Sequence, residues 1–360
     1  MLLKNLITLR RCILWTALSY FSPATGQKPD TLPKLALSGY IETYFLYDIE
    51  TPSDHQRDPW IYSHNRNNEV NINLAFLKAS HSSEKTRANL AFMTGTYANA
   101  NLAQEPGVLR NIFEANAGVK ISQKHNLWID MGVMPSHIGF ESAIGMDCMN
   151  LTRSILADNS PYFESGAKIT YITPSNRWLF SGMYLNGWQR IQRPDGYSTP
   201  SFGHQIQWKP KDGWIINSSS FLGTDTPDRL RKMRYFHNFY LQGKIKTEWT
   251  FVLGIDNGLQ QQNANEGLTN GPYHHWWSPV FIIQNQLSKR LRAAVRFEHY
   301  NDRNGVIISD RLGNGFEASG YSANLDVQIS ENALWRIEAR QTSGTSLSQT
   351  YFTTALMIRW

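Results

Sequence analysis

Seven charged side chains recur two, four or a few residues apart toward the C-terminus: Arg292, Arg296 and Glu298, then Asp326, then Arg336, Glu338 and Arg340. Even spacing puts each group on one face of an extended segment, because successive side chains alternate across a strand. Glu42 holds the same kind of position near the N-terminus. Charge of this density resists dry packing, since each buried ion costs several kcal/mol even when paired. A water-filled lumen removes that cost, and charged side chains lining one decide which ion sign passes cheaply. These eight residues are therefore expected to line a pore. A second charged set, Glu141, Asp147, Arg153 and Asp158, lies in 135–163, a 29-residue segment without alternation. Facing lumenal arginines, it would set a transverse field at a constriction; the other reading is a solvated loop on an outer rim.

Residue types suited to bond chemistry are present but poorly placed for it. His274-His275 would point to opposite faces of a strand and would not chelate together, so no metal site is expected. Asp54-His55 has no nucleophile that the sequence sets beside it, and spacing singles out no His or acid partner for Cys148. No strand, glycine-rich loop and helix follow one another to cradle phosphate. Neither catalytic residues nor a cofactor are expected.

The elements that must carry the charges read as strands. Leu35, Leu37, Ile41, Phe45 and Tyr47 alternate with Ser38, Tyr40, Glu42 and Asp48, and the same period recurs through Tyr321–Ile329 and Phe352–Trp360. The pattern predicts about sixteen strands: 35–48, 69–80, 86–97, 109–121, 127–134, 164–172, 178–186, 202–209, 214–223, 233–244, 248–257, 274–286, 291–301, 319–329, 334–342 and 349–360. Every second connection is short, as in Thr173–Arg177 and Pro210–Gly213. The others are mostly longer: 49–68, 98–108, 135–163, 187–201, 224–232, 258–273, 302–318 and 343–348. Strict short–long alternation is the habit of an up-and-down membrane barrel. About sixteen strands enclose an aqueous channel, whereas about eight would fill their own interior. An even count also returns both termini to the inner side.

Tryptophan placement separates a bilayer from a soluble core. Trp128, Trp178, Trp208, Trp214, Trp249, Trp335 and Trp360 stand beside short turns or the C-terminus, and Trp60, Trp188, Trp276 and Trp277 lie in or beside the longer loops. Indole favours the membrane–water boundary, so two aromatic girdles are expected. Ahead of the strands, Lys4, Arg10 and Arg11 precede an apolar Cys12–Phe21 and small residues to Gly26, which reads as a secretory leader over 1–26. Residues 27–34 form a periplasmic lead-in, and the barrel domain runs over 35–360. Loss of the leader strands Cys148 as the one thiol, so no internal disulfide is available. The formal net charge is +6, half of it carried by the leader's basic residues. Such a mild balance argues against a nucleic-acid binder.

Met134-Pro135 through Ile138-Gly139-Phe140-Glu141, Thr152-Arg153-Ser154, Pro161-Tyr162 and Ser165-Gly166-Ala167-Lys168 follow in an order that resembles the OmpL-like β-barrel porins of Gram-negative outer membranes. Val295-Arg296-Phe297-Glu298 with Asp302 and Gly305, and Trp335 to Arg340, extend the resemblance over 35–360. It implies an outer-membrane channel for small solutes, brings no catalytic residues, and leaves a homotrimer open. At the level of architecture, general porins fold their third loop inward, which implies the same for 135–163. The final strand, with Phe352, Leu356, Ile358 and aromatic Trp360, looks like a signal for the barrel-assembly machinery.

The expectation is an all-β transmembrane up-and-down antiparallel barrel in the outer membrane, with short periplasmic turns, long outer loops and outer-membrane lipid around it. It would pass small hydrophilic solutes or ions. Parity puts eleven basic groups in the lumen (Arg87, Lys120, Lys168, Lys209, Arg234, Lys244, Arg292, Arg296, Arg336, Arg340, Arg359) against eight acids (Glu42, Glu114, Asp130, Glu248, Asp256, Glu298, Asp326, Glu338), hence a weak anion preference. The alternatives are a secreted all-β carbohydrate-binding module and a barrel-borne hydrolase.

Overall fold

The computed structural model describes residues 34–267, 270–309, 315–344 and 347–360. The leader and residues 27–33 of the lead-in lie outside the described residues. Lys34, expected to end the lead-in, is the first residue of the first strand. Sixteen strands follow: β1 (Lys34–Asp48), β2 (Val70–Ser82), β3 (Thr86–Thr94), β4 (Ile112–Lys120), β5 (Asn126–Pro135), β6 (Phe163–Ile172), β7 (Trp178–Leu185), β8 (Ser201–Trp208), β9 (Ile215–Thr224), β10 (Met233–Ile245), β11 (Trp249–Gln261), β12 (Tyr273–Gln286), β13 (Leu291–Asp302), β14 (Phe316–Ser330), β15 (Ala333–Gly344) and β16 (Leu347–Arg359). Two short helices, α1 (Thr96–Asn101) and α2 (Ile155–Asp158), sit in the connections after β3 and β5.

Each strand pairs antiparallel with its neighbours in the chain, and β1 pairs with β16 to close the ring. Closure runs from Tyr40↔Arg359 to Asp48↔Tyr351, extended by a reciprocal Gly39–Trp360 backbone pair at 3.0 and 3.1 Å. Lipid offers no partner for an open strand edge, so this seam is obligatory. The turns at the inner end are short, and the one before β9 places Gly213 at φ +77°, a backbone state that a side chain disfavours. The connection expected over 343–348 is shorter than the sequence implied. Residues 343–344 finish β15, β16 starts at Leu347, and 345–346 lie outside the described residues.

Alternation sorts the two faces. On β15, Leu334, Arg336, Glu338 and Arg340 are buried inward, while Trp335 and Ile337 are exposed. Leu77, Phe92, Met131, Leu253, Phe297 and Phe352 are likewise exposed on the outside. Large apolar side chains turned outward all round a closed ring are the surface of a protein that sits in lipid.

Indoles mark the inner margin. Trp178, Trp208, Trp249, Trp335 and Trp360 are exposed outward, with Trp178 and Trp208 stacked at 5.3 Å. Trp214 is half-buried, edge-on to Phe251 at 5.8 Å and under the Lys211 ammonium at 4.7 Å. Trp128 does not belong to this girdle. It shares the inward parity of Asp130, and the Arg87 guanidinium lies 4.4 Å above its ring. The outer margin is also not built as expected. Trp60 and Trp276 are buried inside the barrel, and Trp188 packs on Phe221 and Phe236, both at 5.0 Å. Tyr47, Tyr184 and Tyr321, exposed outward, take that place.

Val295 faces lipid mid-strand, between Ile283 and Ala323. Val295→Arg is expected to cost about 2–4 kcal/mol, read as a lower folded fraction when urea-unfolded chains are titrated into bilayers.

Candidate functional site: the lumen and its inward loop

The third outer connection, 136–162, leaves β5 and turns into the barrel. Most of its residues are buried. A buried loop brings backbone N–H and C=O groups that need partners. The inner faces of β13–β16 supply them. Arg336 donates to the carbonyls of Gly145 (3.1 Å), Asn150 (2.8 Å) and Cys148 (2.9 Å). Arg296 donates to Thr152 O at 2.6 Å and Arg340 to Arg153 O at 2.8 Å. Glu338 accepts from Leu151 N (2.6 Å), Thr152 N (2.9 Å) and Thr152 Oγ1 (2.5 Å). Glu298 accepts from Ile155 N at 2.6 Å, at the start of α2.

The wall charges also hold one another. Asp326 receives Arg336 through two bonds at 2.6 and 2.8 Å, with Arg292 at 3.2 Å. Glu298 stands 3.2 Å from Arg296 and 2.6 Å from Arg340, and Glu338 stands 3.4 Å from Arg296. Charge-assisted bonds of this kind are roughly twice as strong as neutral ones.

The loop is tied across the lumen as well. His137 donates through Nε2 to Ser220 O at 2.8 Å, and Gly139 N donates to Asn238 at 3.2 Å, on β9 and β10. Met146 N donates to the Tyr40 hydroxyl at 3.3 Å on β1. Glu42 accepts from Tyr40 (3.0 Å) and from His64 of the first outer loop (2.8 Å). Burial lowers His137 to a pKa of about 4, so its ring is neutral.

This geometry changes the reading of the predicted residues. Arg296, Glu298, Asp326, Arg336, Glu338, Arg340 and Glu42 face inward, but each is under 7% exposed because the loop covers it. They grip a loop and do not line open water. Of the eight, only Arg292 borders the cavity. In the loop, Glu141 and Asp147 border the cavity, Asp147 bonded to Arg359 at 2.8 Å and Glu141 3.8 Å from Arg296. Arg153 instead donates to its own loop, to the carbonyls of Ser142 and Leu151 at 2.6 Å each. Asp158 accepts from Ser63 (3.0 Å) and Tyr162 (3.2 Å), away from water. Neither contributes to a field across a constriction. The Cys148 thiol is buried and raised to about 11, which keeps it protonated.

Open space remains on the other side. A cavity of about 1550 Å³ runs from the inner turns, at Arg177 and Lys211, along β3–β11 up to Met93, Tyr97 and Tyr162. Arg87, Lys168, Arg177, Lys209, Lys211, Lys244 and Arg292 line it, as do Glu114, Asp130, Glu141, Asp147 and Asp212. Arg87 pairs with Asp130 and Lys78 with Glu114, each at 2.5 Å.

The outer half is packed instead. Trp60 and Ile61 of the first loop, Ile138 and Ile155 of the third, and Ile308 of the seventh meet inward Phe221, Phe236, Trp276 and Tyr300. Leu102, Leu151 and Leu156 meet Leu46, Leu74 and Met93 in a second cluster. The inward course of the third loop was expected, but that of the first and seventh was not, because irregular segments carry no period. Sequence reasoning also missed Arg177 and Lys211, since parity is undefined in a turn.

The family model for "putative beta-barrel porin-2, OmpL-like" matches residues 34–359. No curated protein matches the sequence. Among solved structures, the chain is similar to the outer-membrane channel DcaP of Acinetobacter baumannii, with TM-score 0.62 and 9% identity over 93% of this chain and 99% of that one. It is similar to an anion-selective porin from Comamonas acidovorans, with TM-score 0.58 and 8% identity over 91% and 100%. It is also similar to OmpT of Vibrio cholerae in its trimer form, with TM-score 0.57 and 8% identity over 91% and 99%.

Removing Glu338 leaves Arg296 and the amides of Leu151 and Thr152 without their carboxylate, and breaking a buried pair of this kind costs about 3–5 kcal/mol. Glu338→Ala is expected to release the loop, giving larger, noisier single-channel currents and faster protease cutting within 136–162.

Proposed function

The chain belongs to the OmpL-like β-barrel porin family and is an outer-membrane porin, and from that premise we propose that it passes small hydrophilic anions by passive diffusion. The observation that carries this reading is the charge of the open cavity. Seven basic and five acidic side chains line it. Four of the acids already face a cation: Asp130 with Arg87, Glu114 with Lys78, Asp147 with Arg359 and Glu141 with Arg296. The basic side is a wall, with Lys168 on β6, Lys209 just after β8, Lys244 on β10, and Arg177 and Lys211 in the adjoining turns. A one-sided basic wall lowers the cost of an anion losing part of its hydration and raises that of a cation.

The preference thus rests on residues other than the densest charge cluster in the sequence. Passage follows the β3–β10 side, between the third loop and the wall, because the opposite side is occupied. Its upper limit lies beside Tyr97 and Tyr162, which meet edge-on at 5.6 Å. The barrel works by selective passage and not by catalysis. The last strand is read as the recognition element for the assembly machinery, and a homotrimer as the functional unit.

Reversal potentials across a planar bilayer with a salt gradient test the reading. The wild-type channel should favour chloride over potassium. Lys168→Glu with Lys244→Glu should bring the permeability ratio to unity or below. Arg336→Gln should disturb the loop without inverting the preference. Cation preference in the wild-type channel would refute the proposal.

A further inference from the structure

The outward face of β7–β10 carries a row of hydrogen-bonded polar side chains, where the wall at β1 and β16 has the threonines Thr43 and Thr354 between apolar residues. Gly182, His204, Ser220 and His237 are cross-strand neighbours in one row over these four strands. Gly203 lies on the inward side, where a Cβ would meet His137 of the third loop, so His204 points outward. The polar groups bond to one another. His204 pairs through Nδ1 with Ser220 Oγ at 2.5 Å and through Nε2 with Ser218 Oγ at 3.3 Å, and Ser218 Oγ meets His237 Nε2 at 2.9 Å.

Depth makes this row unusual. Successive outward positions on one strand are about 6.8 Å apart, which a barrel tilt of about 40° reduces to about 5 Å of height. His204 stands two positions above Trp208, an inner-margin indole. It therefore lies about 10 Å above that margin, near the middle of an apolar band about 25 Å tall. Outward positions on other walls, such as Leu77, Leu90 and Ile169, are apolar and exposed.

The same wall is also low. β7 and β8 have 8 residues each, against 15 in β1 and in β14. Eight tilted residues rise about 21 Å, which barely crosses the hydrocarbon. Gly182 leaves a shallow depression, bordered by the exposed rings of Phe180, Tyr184 and Phe202.

We propose that this face of β7–β10 is a contact between copies of this chain within the membrane. Hydrocarbon cannot bond to imidazole or hydroxyl groups, whereas a protein surface of the same chemistry can. A second copy is the occupant the geometry favours. Rotation about an axis normal to the membrane keeps every row at its own depth, so His204 and Ser218 of one copy meet the same polar level of the next. Imidazole and hydroxyl groups both donate and accept, so like surfaces are complementary. The rings around Gly182 supply flat apolar area, and a neighbouring barrel covers the low wall. The inference rests on the oligomeric porin reading and adds which wall is shared.

Cross-linking the full-length protein in outer-membrane extracts with a short bis-maleimide tests it. Ser218→Cys is compared with Thr43→Cys, outward on β1 and eight strands away round the ring; the native Cys148 is buried inside. Covalent oligomers are expected from Ser218→Cys and not from Thr43→Cys. Gly182→Phe, which fills the depression, should lower the oligomer yield severalfold with conductance per barrel unchanged. Cross-links from Thr43→Cys alone, or a wild-type monomer by native mass measurement, would overturn the assignment while leaving a conducting monomer or a differently assembled porin intact. A wild-type protein that cross-links through Ser218→Cys but conducts nothing would sink the channel reading and spare the interface.

Discussion

Hydrocarbon supplies no partner for a backbone N–H or C=O, and the rest of the molecule depends on that constraint. Sixteen strands satisfy it only as a closed ring, which is why β1 must find β16 across more than 300 positions of sequence. Closure then fixes the solvents. One face of every strand meets lipid, the other meets the interior, and a period of two becomes compulsory. The lipid face needs nothing beyond apolar area and boundary aromatics. The interior is a separate problem, with its own chemistry.

That division explains which parts of the molecule could be read from sequence. Strands against lipid carry the period, so β10, β13 and β15 fall within a residue or two of where alternation put them. The parity of Arg336 and Glu338 was legible for the same reason. Their surroundings were not, because what covers them comes from 136–162, a segment without period. Tryptophan misled where loops were involved. Trp60 and Trp276 stand near the outer margin in sequence, but their loops and strand ends turn inward and bury them. Trp128 failed differently: its position beside a turn suggested a boundary role, while the parity of its strand commits it to the lumen and to Arg87.

The dense inner charge of β13–β16 illustrates why charge on a wall is not charge in a pore. A loop drawn into a barrel loses water from its backbone, and the loss must be made good. Arginine suits exposed carbonyls, since one guanidinium offers five donors in a fixed plane. Arg336 uses three of its loop bonds in this way, on Gly145, Cys148 and Asn150. Glutamate suits amides, and Glu338 accepts two of them. Because the cations and acids neutralise each other, the wall can carry many charges and still add little net field to passing ions. On the proposed reading, selectivity falls to the opposite wall, where Lys168, Lys209 and Lys244 border the cavity.

An interior with one occupied side and one open side has a mechanical consequence. Apolar loop residues in the outer half lock together with Phe221, Phe236 and Trp276, so the third loop is held by packing above as well as by charge at its flank. A loop fixed on two sides cannot swing to gate the channel without breaking both sets of contacts at once. Met93, Tyr97 and Tyr162, buried in the apolar cluster, bound the outer end of the cavity beside that fixed loop. Rigid placement against β13–β16 keeps the passage off-axis, beside β6–β10. The low polar wall of β7–β10 lies on that same side of the barrel, so contact with a neighbouring copy there would brace the strands that carry Lys168 and Lys244. Charge selection and assembly would then depend on the same stretch of sheet. The shortest strands would be tolerable in that stretch if protein, rather than lipid, covered their outer face.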